Sequence, residues 1–186
     1  MLEGKKAVVV GASRGLGRGV AESLSEAGAS VLAIARQRTG LDELEVAHPS
    51  LDVKVADATD PTVAGDVLYA HDPDILAVVA GATPLLHPIH HHTWETFSLP
   101  WNVDVRIAFN WLREALLKPL RPGSRVLLMS SGAATNGSPM SGGYAGGDRP
   151  FIVSASSSHR AAMLNPPNAS ALATTRLVFR ARPRSG

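Results

Sequence analysis

The sequence predicts an α/β fold in which helices cover both faces of a doubly wound parallel sheet. Short apolar segments that suit buried strands alternate with segments whose apolar residues recur every three or four positions, as on one helix face. A glycine-rich turn also joins the first strand directly to the first helix. Five strands can be recognised, so we expect a sheet that is incomplete at its C-terminal edge.

Length and composition narrow the class of protein. The chain has 186 residues, of which 45% are hydrophobic, and this is enough for one core. It contains no cysteine, so disulfides and thiol chemistry are excluded. No apolar run approaches the ~20 residues of a membrane span, and no signal peptide is visible. We therefore expect a cytoplasmic protein without a membrane partner.

The motif that organises the chain is the turn GASRGLG over residues 11–17, which follows an apolar strand. After it, Leu16, Val20 and Leu24 mark one face of a helix. The N–H groups and positive dipole at a helix N-terminus attract an anion, and glycine lets the backbone approach it closely. We predict a nucleotide phosphate site here, with a plain strand-to-helix turn as the alternative. The binding residues would be Gly11, Ser13, Arg14, Gly15, Leu16 and Gly17.

The spacing Gly-x-x-x-Gly-x-Gly resembles that of the classical short-chain dehydrogenase/reductase family, although Val10 stands where the family usually has threonine. The resemblance implies a Rossmann-like dinucleotide-binding domain, here over residues 1–147. It also implies an oxidoreductase that moves hydride between a nicotinamide cofactor and a small carbonyl or alcohol substrate.

The second strand, over residues 30–35, is followed at once by Arg36 and Arg38. In dinucleotide folds an acid near the end of this strand binds the ribose 2′-hydroxyl, whereas an arginine suits a 2′-phosphate. No acid stands here, and both Arg14 and Arg36 are placed to reach a phosphate. We expect NADP(H) to be preferred over NAD(H), with a solvated surface arginine as the alternative for Arg36.

A short helix around residues 41–46 precedes a third strand, which the alternation over residues 51–57 predicts. The resemblance implies that Asp57, at the end of this strand, bonds the adenine amino group of the cofactor. A helix or loop cap is an equally good interpretation of Asp57.

The next helix is expected over residues 62–68, with Asp60 or Pro61 at its start. A fourth strand over residues 75–79 runs into Ala80 and Gly81, where the family normally has Asn-Asn-Ala-Gly and this chain keeps only the last two. Small residues at this point allow the backbone to approach a cofactor closely.

Four histidines between residues 87 and 92 suggest a metal site as one hypothesis. Adjacent histidines point in different directions and no cysteine accompanies them, so we favour a polar loop over the cofactor and expect no metal.

A long helical pattern then covers residues 93–117, with Pro100 expected to kink or divide it. The resemblance implies a homo-oligomer through this segment. It also places Asp104 at a family asparagine that holds a proton-relay water.

The fifth strand, over residues 125–129, leads into Ser130 and Ser131, and Tyr144 follows thirteen residues after Ser131. This order and separation resemble the family's active site. The resemblance implies that Tyr144 donates a proton to the substrate oxygen while Ser131 orients it. A tyrosine with a pKa near 10 needs a neighbouring positive charge for this role.

The family supplies that charge from a lysine four residues after the tyrosine, but this chain has Asp148 there. An acid would raise the pKa of the tyrosine instead. Arg149 is adjacent but would point away from Tyr144 on a helix. Two glycines and Pro150 also lead us to expect no helix through Tyr144.

From residue 148 onward the chain resembles the family no longer. Residues 149–186 hold six arginines and no acidic residue, and only residues 177–179 suggest a strand. A shifted reading frame would give such a composition, as would a divergent or disordered tail.

Three functional hypotheses remain from the sequence. The first is the oxidoreductase, and the second is an inactive nucleotide-binding remnant that lacks the lysine and the substrate half. The third and weakest has the basic tail bind nucleic acid or another acidic partner, but few aromatic residues accompany its arginines. We therefore expect a small-molecule substrate and no nucleic acid.

Overall fold

The computed structural model describes residues 1–147 and the backbone of one further strand, Arg176–Arg180. Six strands, numbered in chain order, form one sheet with the spatial order β3-β2-β1-β4-β5-β6. The first five are parallel to one another, which confirms the predicted α/β fold class. The strands β1 to β6 are Lys6–Val10, Ser30–Ala35, Asp52–Val55, Ile75–Val78, Arg125–Met129 and Arg176–Arg180.

Helices follow the parallel strands, as the alternating pattern requires. Their bounds, from α1 to α6, are Gly15–Glu26, Thr39–Ala47, Pro61–His71, Trp94–Pro100, Arg106–Leu117 and Ala133–Asn136. A 3₁₀ turn, Ile89–His91, precedes α4, and a π-helical segment, Trp101–Val105, joins α4 to α5. The predicted start of α3 is confirmed, because the Asp60 carboxylate accepts a hydrogen bond from the Thr62 N–H and Pro61 is the first helical residue.

The sheet is buried on both faces, which explains why its central strands are almost wholly apolar. Alternate residues of β1 point to opposite sides: Val8 and Val10 pack with α3 and α5, whereas Ala7 and Val9 pack with α1 and α2. Trp111 of α5 is fully buried, and its indole N–H donates to the carbonyl of Ala58 at 3.3 Å.

The helical run over residues 94–117 is divided by Pro100, as expected. Proline has no N–H to donate to the preceding turn, and the wider π-helical segment begins directly after it. This segment matters for the site because it carries Asp104 towards the loop that follows β4.

The expectation of no helix through Tyr144 was wrong, because residues 142–147 are helical. Tertiary packing offsets the low helix propensity of glycine here. A Cβ on Gly143 would overlap the carbonyl oxygen of Phe97, and one on Gly146 would lie 3.5 Å from the Trp101 ring. The glycines therefore let this helix approach α4 and the π-helical segment closely enough to bring in Tyr144.

The suggested strand over residues 177–179 corresponds to β6, which pairs antiparallel with β5 and adds a strand beyond the fifth. The predictions about Asp148, Arg149 and the character of the tail fall on residues 148–175 and 181–186, which lie outside the described residues. Within the described part of the chain, no helix has both the length and the apolar character needed to cross a membrane.

Candidate functional site

A cavity of about 590 Å³ opens at the carboxyl ends of β2, β1, β4 and β5. Its volume falls within the range of about 300–1,000 Å³ that small-molecule and cofactor sites occupy. The chain order of the strands reverses beside β1, and open α/β sheets bind ligands in the crevice at such a point. Ten of the thirteen predicted site residues line it: Gly11, Ser13, Arg14, Leu16, Gly17, Arg36, Ala80, Gly81, Asp104 and Tyr144.

The glycine turn is shaped by close backbone contacts. Gly11 has a φ of +93°, and a Cβ on it would overlap the backbone of Ala80 at the end of β4. A Cβ on Gly17 would overlap the carbonyl oxygen of Gly11. Arg14, the N-cap of α1, gives no side-chain hydrogen bond to the first turn of that helix. The first N–H groups of α1 are therefore suited to an anionic ligand.

The arginines after β2 have different surroundings. Arg38 forms ion pairs with Asp42 and with Glu45 of α2, the latter at 2.7 Å. Arg36 is exposed and lines the cavity. Its neighbour Gln37 also lines it, although no charge or motif in the sequence marks this residue. The structure thus separates Arg36, at the cavity, from Arg38, which is engaged with α2.

Arg14 extends from the glycine turn across the cavity mouth. Its guanidinium donates a hydrogen bond of 3.4 Å to the Thr83 hydroxyl, in the loop after β4. A long bond between exposed groups contributes little. The side chain is therefore available to an anion bound at the turn.

Three predicted residues are not among those that line the cavity: Gly15, Asp57 and Ser131. Asp57 lies between Ala56 and Ala58, which do line it, and its Oδ1 accepts hydrogen bonds from the N–H and hydroxyl of Thr59 at 2.9 and 2.8 Å. These bonds lower the pKa of the Asp57 carboxyl, and the charge of Arg36 adds to the effect. The side chain caps a loop, one of its two predicted roles.

The two serines after β5 occupy different surroundings. Ser130 is buried and lines the cavity, and its hydroxyl has no hydrogen-bond partner among the described residues. The Ser131 hydroxyl accepts a hydrogen bond of 3.1 Å from the N–H of Ala133. Ser130, which adjoins the predicted residue, thus brings a second, buried hydroxyl to the cavity wall.

Asp104 reaches the cavity from the π-helical segment. Its carboxylate accepts a hydrogen bond of 2.5 Å from the N–H of Ala82, and a Cβ on Gly81 would lie 3.2 Å from the same oxygen. The hydrogen bond fastens the π-helical segment to the loop that follows β4. It also holds a carboxylate in the cavity wall.

Tyr144 lines this cavity and also a second one of about 10 Å³, which has room for about one water molecule. The walls of the small cavity include the apolar side chains of Leu85 and Phe97 and the polar side chains of His92 and Ser141. Tyr144 therefore lies between the two cavities.

His92 is the one member of the histidine cluster in the wall of the small cavity. Its Nε2 lies 3.1 Å from the carbonyl oxygen of His87, so that nitrogen carries a proton and donates it, and its Nδ1 lies 3.1 Å from the Thr96 hydroxyl. Within residues 1–147, no three or more histidine, aspartate or glutamate side chains are arranged to hold a metal ion.

Comparisons with known proteins agree on one family. Residues 5–147 match a family model described as short chain dehydrogenase. L-xylulose reductase of Mesocricetus auratus is 34% identical over 105 residues, which cover 56% of this chain and 43% of that protein. Carbonyl reductase (NADPH) 2 of Sus scrofa is 31% identical over 106 residues, 57% of this chain and 43% of that protein. The chain thus spans less than half the length of these relatives.

The fold also matches solved structures. A short-chain dehydrogenase/reductase from Brucella melitensis, named glucose/ribitol dehydrogenase, superposes with a TM-score of 0.76 at 21% sequence identity. The match covers 84% of this chain and 68% of that one. At this level of identity the similarity concerns the fold.

Proposed function

Because the chain belongs to the short-chain dehydrogenase family, we propose that it is an oxidoreductase that moves hydride between NADP(H) and a small carbonyl or alcohol substrate. The observation that carries the proposal is a single cavity whose wall includes both the glycine turn and Tyr144. Two relatives with reductase names, one of them naming NADPH, support this choice of reaction and cofactor.

The residues present fit a dinucleotide. The close contacts at Gly11 and Gly17 exclude side chains there, so the turn presents bare backbone to a ligand. The first turn of α1 also lacks a side-chain cap. The pyrophosphate would bind there. Arg36, with Arg14, would hold the 2′-phosphate. Both bonds from Thr59 go to Oδ1 of Asp57, so its Oδ2 would bond the adenine amino group.

When bound, the cofactor supplies or accepts the hydride. The phenol of Tyr144 would donate a proton to the oxygen of a carbonyl substrate, or take one from an alcohol. A hydroxyl from Ser131, or from Ser130 in the cavity wall, would hydrogen-bond that oxygen and orient it.

The proposal is tested by incubating the purified chain with NADPH and a panel of small ketones, aldehydes and sugars, and following NADPH consumption. We expect turnover of at least one carbonyl compound. NADPH binding without turnover of any compound would favour the inactive remnant, in agreement with Asp148 at the position of the family lysine.

The choice of cofactor is tested by Arg36→Ala. A charge-assisted hydrogen bond contributes about 1.5–3 kcal/mol, so we expect NADPH affinity to fall about 10- to 100-fold while NADH affinity stays unchanged. Arg38→Ala is the matched control, because Arg38 is paired with Asp42 and Glu45, and it should change neither affinity. Equal losses of NADPH affinity in both variants would remove Arg36 as the phosphate-binding residue.

We also propose that a homo-oligomer forms through α4 and α5. These helices and the π-helical segment expose large apolar side chains, namely Trp94, Leu99, Trp101, Phe109, Leu116 and Leu117. Surface apolar residues concentrated in one segment are typical of an interaction face.

The oligomer is tested by measuring molar mass with light scattering. Phe109→Asp should convert the oligomer to a monomer, because a carboxylate would be buried without a partner at the interface. Val46→Asp, on the exposed surface of α2, is the control and should leave the molar mass unchanged. A wild-type protein that is monomeric at micromolar concentration would contradict the proposed interface.

A further inference from the structure

The feature behind this inference is the carboxylate of Asp104. It is held beside the end of β4 by a hydrogen bond of 2.5 Å from the Ala82 N–H, and Gly81 next to it has no side chain to separate the two segments. Among the described residues that line the large cavity, Asp104 is the one acid, and the two cations of that wall are Arg14 and Arg36. The wall therefore contains a fixed negative group in addition to its arginines.

The sheet order tells which part of a dinucleotide this group would face. Arg36 follows β2, the glycine turn follows β1, and Asp104 is fastened to the end of β4, next to β5. The distance from β2 to β5 is three strand spacings of about 4.8 Å, or about 14 Å in all. With the 2′-phosphate at Arg36 and the pyrophosphate at the glycine turn, the nicotinamide half extends to the side that holds Asp104 and Tyr144.

The two redox forms of the cofactor differ in charge at that half. The oxidised nicotinamide ring carries one positive charge and the reduced ring is neutral, whereas the phosphates and the adenosine are the same in both. A nearby carboxylate attracts the oxidised ring and has no comparable attraction for the reduced one. In a partly buried site this difference is larger than in water, because the dielectric screening is weaker.

We propose that Asp104 makes this site select the oxidised form of the cofactor, so that the chain binds NADP⁺ more tightly relative to NADPH than it would with a neutral side chain. Asp104 is thus a residue that determines specificity for the redox state of the cofactor. The inference rests on the proposed function, because it requires the cofactor to bind along the cavity as described.

The test is Asp104→Asn in the full chain. Asparagine keeps the shape and an oxygen that accepts the Ala82 N–H, so the variant removes the charge but not the contact. The dissociation constants of NADP⁺ and NADPH are measured by calorimetry at neutral pH. We expect the ratio of the two constants to shift about three- to tenfold towards NADPH, which corresponds to about 0.7–1.4 kcal/mol.

Asp66→Asn is the matched control, since Asp66 is exposed on α3 and does not line the cavity. It should leave the ratio unchanged. An unchanged ratio in Asp104→Asn, with both forms still bound, would overturn this inference and leave the proposed function standing. A wild-type chain that binds neither form would overturn both.

Discussion

Tyr144→Phe is expected to lower the rate of carbonyl turnover by about 10²- to 10⁴-fold, the usual contribution of a general acid. The variant loses the phenol O–H, while its ring still fills the space between the two cavities that Tyr144 lines. NADPH affinity should therefore stay within about twofold of wild type. Steady-state kinetics with the best carbonyl compound from the panel, together with an NADPH titration, measure the two effects separately.

The control for this variant is Tyr69→Phe. Tyr69 is the other tyrosine of the chain, lies exposed on α3 and does not line either cavity. It should keep wild-type turnover. Unchanged turnover in Tyr144→Phe would remove Tyr144 from the mechanism, and Ser130 and Asp104 would then be the polar groups of the cavity wall to replace next.

Gly17→Ala is expected to weaken NADPH binding more than tenfold. A Cβ at this position overlaps the carbonyl oxygen of Gly11 and its carbon, so the backbone of the turn must move. The N–H groups that would hold the pyrophosphate move with it, because they belong to the same turn and to the start of α1. An NADPH titration gives the loss, and thermal unfolding shows whether the variant still folds.

Gly19→Ala, two residues further along α1, is the matched control. A Cβ there meets no atom within 4 Å, so the variant should bind NADPH as wild type does. It should also be more stable by roughly 0.5–1 kcal/mol, because alanine has the higher helix propensity. Wild-type affinity in a folded Gly17→Ala variant would show that the turn does not hold the cofactor.

The parts of the fold that could be predicted from sequence are those with local signals. The apolar run before residue 11, the glycine spacing and the helical periodicity after it identify β1, the turn and α1. Asp60 and Pro61 mark the start of α3 in the same way. These features depend on residues that are neighbours in the chain, so one sequence is enough to recognise them.

What could not be predicted depends on contacts between distant segments. The glycines around Tyr144 disfavour a helix locally, and only their packing on Phe97 and Trp101 shows why one forms. The hydrogen bond from Ala82 to Asp104 joins residues 22 positions apart. The spacing of apolar residues in the sequence predicts neither contact.

An NADPH titration of the full chain tests most directly whether this cavity binds a phosphorylated nicotinamide dinucleotide. Trp101 and Trp111 lie in segments that border the cavity and provide a fluorescence signal. We expect saturable binding of NADPH with a micromolar dissociation constant, and weaker binding of NADH. The absence of saturable NADPH binding to the folded chain would contradict the proposed dinucleotide site.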